Sequence, residues 1–229
     1  MKKYVIIAAG GLGIRMKSEI PKQFICISGK PILMRTLEAF KNYDILINII
    51  LVLPEEQKSY WKNLCELYNF NIKHTLVSGG GNRFHSVKNG LAQIKEEECL
   101  IAVHDGVRPF VSKEIIEKAF KCAEKNGNAV PCTRINDSLR YVEEHSSKPI
   151  NREKVFAIQT PQCFSGKILK QAYEQDFDVQ FTDDATVVEK LGHKIFLTEG
   201  SSDNIKITTQ KDLILAEVIL EKIINPQLK

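Results

Sequence analysis

Short runs of aliphatic and β-branched residues alternate along this chain with longer segments whose apolar residues recur every three or four positions. YVII (4–7), INIILVL (47–53), NIKHTLV (71–77), CLIAV (99–103) and NAVPC (128–132) read as strands. Between them, PILMRTLEAFKN, EEQKSYWKNLCELYN, RFHSVKNGLAQIKEEE and SKEIIEKAFKCAEKNG read as amphipathic helices. In the last of these, Ser112 takes the N-cap position and Gly127 stands just past the end. Strand and helix alternating in this way predict an α/β fold with a mostly parallel sheet and helices on both faces. Ligands of such sheets bind beyond the carboxyl ends of the strands.

The 229 residues suit one domain, 1–229. The rhythm breaks over 134–157, RINDSLRYVEEHSSKPINREKVFA, which is polar and has a hairpin-tip signature at EEHSSKP. That segment predicts a protruding β-arm. With so little core of its own, the arm is expected to lie on another surface, such as a second subunit. Helical spacing returns in TTQKDLILAEVILEKII (208–224).

Composition excludes several function classes. With 43% hydrophobic and 26% charged residues, the chain has no apolar run long enough to span a bilayer, so no membrane role is expected. The run after MKK is too brief for a secretory signal and reads as the first strand. Six cysteines without a C-x-x-C pair point to free thiols in a reducing cytoplasm. A net charge of +4, with no basic stripe interleaved with aromatics, argues against nucleic acid and for an anion bound by a few placed cations.

AAGGLGIRM (8–16) follows the first strand. It fails the P-loop pattern, since Arg15 stands five residues after Gly10, and the dinucleotide fingerprint, whose third glycine is Met16. Pro21 then discourages a following helix. Glycines that let N–H groups crowd an anion, with Arg15 and Lys22 nearby, suit a polyphosphate; the same residues also suit a tight turn with surface cations. SGGGNRFHSV (78–87) is a second glycine turn, leading into a helix whose first turn carries Arg83 and Ser86. In CLIAVHDGVRPF (99–110), a buried strand ends at Asp105, which needs a cation: either Arg108 or Mg²⁺ shared with substrate phosphates. His104 reads as a packed, hydrogen-bonded residue. Thr182 and Asp183 look like a helix N-cap, and Asp203 like a turn residue or second metal ligand.

AAGGLGIRM, PKQF, GGGNRFHSV, VHDGVRPF, QTPQCF, TDDA and DNIKIT, in that order and spacing, resemble the cytidylyltransferases that make CDP-linked polyol phosphates. Within that group the chain is most similar to the methylerythritol phosphate branch of isoprenoid biosynthesis, with the ribitol-5-phosphate branch as the alternative; a sugar-1-phosphate nucleotidyltransferase is a more distant one. The resemblance implies a Rossmann-like three-layer nucleotidyltransferase fold, a homodimer joined by the arm, and Mg²⁺-dependent CMP transfer from CTP to a polyol phosphate. It implies that Ala8, Ala9, Gly10, Gly11, Gly13, Arg15 and Lys22 hold the triphosphate, with Arg15, Lys22 and Lys206 acting in catalysis. Gly80, Gly81, Arg83, Ser86 and Gly106 would bind the nucleoside, and Asp105 the metal. Arg108, Ser138, Arg152, Thr160, Thr182 and Lys206 would bind the second substrate, Arg152 reaching across the dimer. Gly81 departs from a commonly acidic position and Ser138 from a threonine.

Overall fold

Strand β1 (Lys2–Ala8) shows how the layers arise. Val5 and Ile7 enter one buried cluster while Tyr4 and Ile6 enter another, as the two-residue period of an extended chain requires. The computed structural model describes residues 1–11, 20–225 and 227. After β1 come β2 (Cys26–Ile27), β3 (Lys30–Pro31), α1 (Ile32–Tyr43), β4 (Asn48–Leu53), α2 (Lys58–Leu67), β5 (Thr75–Ser78) and α3 (Arg83–Leu91). The chain continues through β6 (Cys99–Asp105), α4 (Lys113–Asn126), β7 (Asn128–Arg134), β8 (Leu139–Glu143), β9 (Ser146–Ile150), β10 (Phe156–Ile158) and β11 (Gln162–Ser165). It ends in α5 (Gly166–Ala172), α6 (Asp184–Glu189), β12 (Leu197–Glu199) and α7 (Gln210–Ile224).

The main sheet runs β10-β7-β11-β6-β1-β4-β5, with β12 pairing β7. Strands β6, β1, β4 and β5 are mutually parallel, and β11 is antiparallel to β6. On one face, Leu33, Leu37 and Phe40 of α1, Trp61 of α2 and Ile116 and Phe120 of α4 pack on Val5, Ile7, Ile49 and Leu51. On the other, Phe84 and Val87 of α3, Leu169 of α5 and Val187 of α6 pack on Ile6, Ile50, Val52, Ile101 and Val103. These are the three layers expected, and α7 adds a third cluster through Ala216, Ile219 and Leu220. Ser112 caps α4 by accepting from the Ile115 N–H, and Gly127 closes it at φ +88°.

Two boundaries differ from the sequence pattern. Strand β5 begins at Thr75, not at residue 71, because the His74 ring is gripped between the Trp61 indole N–H (2.9 Å) and the Ile72 carbonyl (2.7 Å). Helix α3 stops at Leu91, well before residue 98: the chain turns off so that Glu96 reaches Lys2 and the Tyr4 hydroxyl on β1. All six cysteines are unbridged; Cys99, Cys132 and Cys163 are buried, while Cys26 is exposed.

The chain leaves the sheet at Arg134 and returns at Phe156, which pair with each other. Between them β8 and β9 form an antiparallel hairpin around Glu144 and His145. Tyr141 and Val142 are 59% and 74% exposed, and no arm residue enters the three buried clusters. Among the described residues no helix is long and apolar enough to cross a membrane.

Helix α3 approaches β1 closely because Gly90 has no side chain: a Cβ there would lie 2.8 Å from Ile6 Cγ2 and 3.2 Å from Val52 Cγ2. We expect Gly90→Ala to destabilise the protein by about 1–3 kcal/mol through overpacking, despite the better helix propensity of alanine. Urea unfolding checks this, and an equally stable variant would show that α3 can move away freely.

Candidate active site

The register Ala8↔Val52, Ala8↔Asp105 and Leu53↔Ser78 sets the carboxyl ends of β1, β4, β5 and β6 side by side. Their outgoing turns are stitched together by Ala9 N–H to Val52 O (3.0 Å), Gly79 N–H to Leu53 O (2.7 Å) and Gly106 N–H to Ala8 O (2.9 Å). Above them lies a cleft of about 510 Å³, lined by Ala8, Ala9, Gly10, Gly11, Lys22, Gln23, Pro54, Glu55, Glu56, Gly79, Gly80, Gly81, Asn82, Arg83, Ser86, Asp105, Val107 and Lys206.

Local chemistry explains the shape of the second glycine turn and of the described start of the first, Ala8–Gly11. The Lys22 side chain lies along the first, so that a Cβ on Gly11 would sit 3.2 Å from Lys22 Cε. Gln23, wholly buried, donates to Ala9 O (2.8 Å) and Gln57 Oε1 (2.6 Å), tying this turn to the one after β4. In the second turn Asn82 caps α3 through the His85 N–H (3.0 Å). The Ser86 hydroxyl donates to Asn82 O (2.8 Å) and accepts from the Gly80 N–H (3.1 Å). A Cβ on Gly80 would fall 2.4 Å from His85 Cβ, so only glycine fits there.

Asp105, with a side chain 10% exposed, is the electrostatic centre. Its Oδ2 lies 3.1 Å from Arg108 Nε and 3.1 Å from Lys206 Nζ, and its Oδ1 lies 3.9 Å from Arg83 Nε. Burial pushes its pKa up, but Lys206, Arg83 and Arg108 outweigh burial and hold the carboxyl well below the usual range. Beneath it runs a directional hydrogen-bond chain. The Arg108 carbonyl can only accept, so His104 Nε2 donates to it (3.0 Å) and Nδ1 accepts from the Thr160 hydroxyl (3.0 Å). The Thr160 oxygen in turn accepts from the Asp105 N–H (3.1 Å). Asn204 closes the circuit, donating to Thr160 O (2.9 Å) and accepting from Arg108 Nη1 (2.8 Å). Burial pushes the His104 pKa down to about 4, so the ring is neutral, as this chain of donors needs.

Of the residues singled out from sequence, the cleft gathers Ala8, Ala9, Gly10, Gly11, Lys22, Gly80, Gly81, Arg83, Ser86, Asp105 and Lys206. Others lie beneath it. Gly106 packs on Ala9, where a Cβ would meet Ala9 Cβ at 2.7 Å, while Arg108 and Thr160 are buried and engaged with Asp105. Thr182 is exposed ahead of α6, and Asp183 is the residue that caps that helix, with Thr186 completing a capping box. Asp203 is exposed in a turn, its N–H on Ser201 Oγ. Ser138 and Arg152 are exposed on the arm, away from the cleft lining. Gly13 and Arg15 lie outside the described residues. Gln23, Asn204 and Asp184 were not anticipated, although each sits inside a motif that was: PKQF, DNIKIT and TDDA.

The family model for 2-C-methyl-D-erythritol 4-phosphate cytidylyltransferase (IspD) matches residues 3–222. The chain belongs to the 2-C-methyl-D-erythritol 4-phosphate cytidylyltransferase family. The enzyme of that name from Bacteroides thetaiotaomicron is 49% identical over 220 residues, covering 96% of this chain and 100% of the relative. That from Azobacteroides pseudotrichonymphae is 51% identical over 223 residues, covering 96% and 99%. The crystal structure of 4-diphosphocytidyl-2C-methyl-D-erythritol synthase from Anaerococcus prevotii superposes with a TM-score of 0.81 at 30% identity, covering 96% of this chain and 98% of that one.

As a member of the cytidylyltransferase family the protein is a nucleotidyltransferase, and the cleft residues suit that chemistry. Among the described residues no three His, Cys, Asp or Glu side chains converge. Three carboxylates of the described residues line the cleft, Asp105, Glu55 and Glu56, and one or two carboxylates together with substrate phosphates are what a hard divalent cation takes as ligands.

The neutral His104 makes stability depend on pH. In the unfolded chain its pKa returns to the ordinary 6.5 from about 4, so below pH 6.5 the unfolded state takes up a proton that the folded state refuses. The stabilisation is complete above pH 6.5 and is lost as pH falls toward 4, to a total of roughly 3 kcal/mol. We expect urea unfolding of His104→Gln to show a shallower loss between pH 6.5 and 5, by about 2 kcal/mol. Parallel pH profiles for the two proteins would refute this.

Proposed function

We propose that this protein transfers CMP from CTP to 2-C-methyl-D-erythritol 4-phosphate, giving 4-CDP-2-C-methyl-D-erythritol and pyrophosphate in the non-mevalonate route to isoprenoid precursors. The observation that carries this reading is the convergence of two glycine turns with Lys22, Arg83 and Lys206 around the ionised Asp105 in one cleft. Ala8, Ala9, Gly10, Gly11 and Lys22 hold the triphosphate in this reading, together with Gly13 and Arg15. Gly80, Gly81, Arg83 and Ser86 face the nucleoside, and Gly106 and Arg108 support Asp105 from below.

An oxygen of the acceptor phosphate, already anionic near neutral pH, attacks the α-phosphorus of CTP. The new O–P bond forms as the bond to the β-phosphate oxygen breaks, and pyrophosphate leaves with the electron pair. No general base is needed, so the protein's work is positioning and charge stabilisation. Lys22 and Lys206 offset the charge that gathers at the reacting phosphorus. Asp105 would hold Mg²⁺, which when bound neutralises charge across the triphosphate. The second substrate's phosphate is met by Thr182 and Lys206 of one chain, with Thr160 fixing the floor below. Ser138 and Arg152 come from the arm of a partner in a homodimer.

Pyrophosphate release, measured with each nucleoside triphosphate against methylerythritol 4-phosphate and ribitol 5-phosphate, tests the activity. We expect release with CTP and methylerythritol 4-phosphate, and release only with ribitol 5-phosphate would overturn the assignment. Lys22→Ala should fold normally and turn over about 10²- to 10³-fold more slowly. Mixing Lys22→Ala with Arg152→Ala should restore part of the activity, because a mixed dimer carries one site with both residues intact. Absence of recovery, once subunit exchange is demonstrated, would place Arg152 outside the shared site.

A further inference from the structure

The two acids of TDDA do different work. Asp183 caps α6, and its Oδ2 also accepts from Gln162 Nε2 (2.7 Å), while Gln162 Oε1 accepts from the Ala185 N–H (2.9 Å). With the helix start fixed in this way, the neighbouring Asp184 is fully buried and faces α3. Its Oδ1 and Oδ2 accept from Arg83 Nη1 (2.9 Å) and Nη2 (2.6 Å). The Tyr173 hydroxyl, also buried, donates to Oδ1 at 2.6 Å. The Tyr173 ring stacks on Phe84, the residue after Arg83, with centroids 4.7 Å apart.

Only one member of this group reaches the cleft. The Arg83 side chain is 30% exposed and lines it, whereas the Asp184 side chain is 0% exposed and does not. A bidentate carboxylate consumes two of the five guanidinium N–H groups and fixes the plane of the fork. Nε then stands 3.9 Å from Asp105, and one N–H on each terminal nitrogen remains for another acceptor. Burial acts against the Arg83 charge, but the Asp184 carboxylate outweighs it, and burial beside that carboxylate pushes the Tyr173 pKa up. A buried ion pair is poor evidence of stabilisation, since apolar packing serves as well. A fixed orientation of the exposed partner is what the arrangement supplies.

We infer that Asp184 is a positioning residue that sets the Arg83 guanidinium in the nucleotide cleft, with Tyr173 orienting the carboxylate. It touches no substrate and acts through Arg83 alone. This rests on the reading that the cleft binds CTP. Asp184→Asn should weaken CTP binding about tenfold by calorimetry, raising KM for CTP while leaving kcat within about twofold. Tyr173→Phe, which removes one hydroxyl and keeps the stacked ring, should weaken it about threefold and serves if Asp184→Asn does not fold.

The decisive readout is a double-mutant cycle with Arg83→Lys, whose single ammonium cannot make the fork. In that background Asp184→Asn or Tyr173→Phe should change CTP affinity by no more than about twofold. Equal fractional losses in both backgrounds, or wild-type affinity in Asp184→Asn, would reduce the cluster to packing between α3 and α6 and overturn the inference. A wild-type protein that binds no CTP would overturn the reading of the cleft, and this inference with it.

Discussion

A carboxylate buried at the end of a central strand must be compensated, and the architecture around Asp105 is organised by that requirement. The three cations that meet it come from separate parts of the chain: Arg83 from the start of α3, Arg108 from the turn after β6, and Lys206 from the segment before α7. None could be removed without leaving a buried charge less compensated, a costly change. Segments about a hundred residues apart in sequence are thereby drawn to one point before any ligand arrives. With Asp184 pairing Arg83 from behind, the cluster carries three positive charges against two negative, a net positive balance suited to a polyphosphate.

The polar circuit beneath Asp105 explains why the floor of the cleft can be rigid. Each donor in the run from Asp105 N–H through Thr160 and His104 to the Arg108 carbonyl has one acceptor, and the direction is set by the carbonyl at its end. A protonated His104 would present a donor to the Thr160 oxygen and break the run. Asn204 binds the same circuit to the segment carrying Lys206, so the position of that cation is coupled to the backbone at Asp105. The run from Asp105 N–H to the Arg108 carbonyl is satisfied at every step, and such a run specifies one arrangement of its members, while the buried Asn204 Oδ1 has no partner among the described residues.

Much of the fold was legible because the strands are uniformly apolar and the helices strongly amphipathic, periods that do not resemble each other. The misplaced boundaries, at Thr75 and Leu91, are where one side chain, His74 or Glu96, finds a distant partner that periodicity does not register. In the site, residues at strand ends were readable because the sheet itself brings them together. Thr160, Arg108 and Gly106, which the resemblance places at the ligand, are packed and hydrogen-bonded around Asp105 behind the cleft lining, a placement that no local pattern in the sequence registers. Asp184 escaped notice for a related reason: a helix cap accounts for its neighbour, and nothing local distinguishes a second acid whose partner is 101 residues away.

The cleft of a single chain is uneven in what it offers. Its described walls provide glycine turns, an N-terminal helix turn and cations grouped about Asp105, which suits the nucleotide, whereas Ser138 and Arg152 stand apart on the arm. Arg152 donates to the Asn136 carbonyl and is half exposed, so the guanidinium is braced within the arm and still available beyond it. A two-stranded hairpin is marginal in water unless something covers it, and this one leaves Tyr141 and Val142 uncovered. Covering the hairpin with a second copy, as in the proposed homodimer, would bury that apolar surface. In the proposed homodimer, assembly and substrate binding draw on the same segment, so loss of the partner would both uncover the marginal hairpin and remove its cation from the neighbouring site.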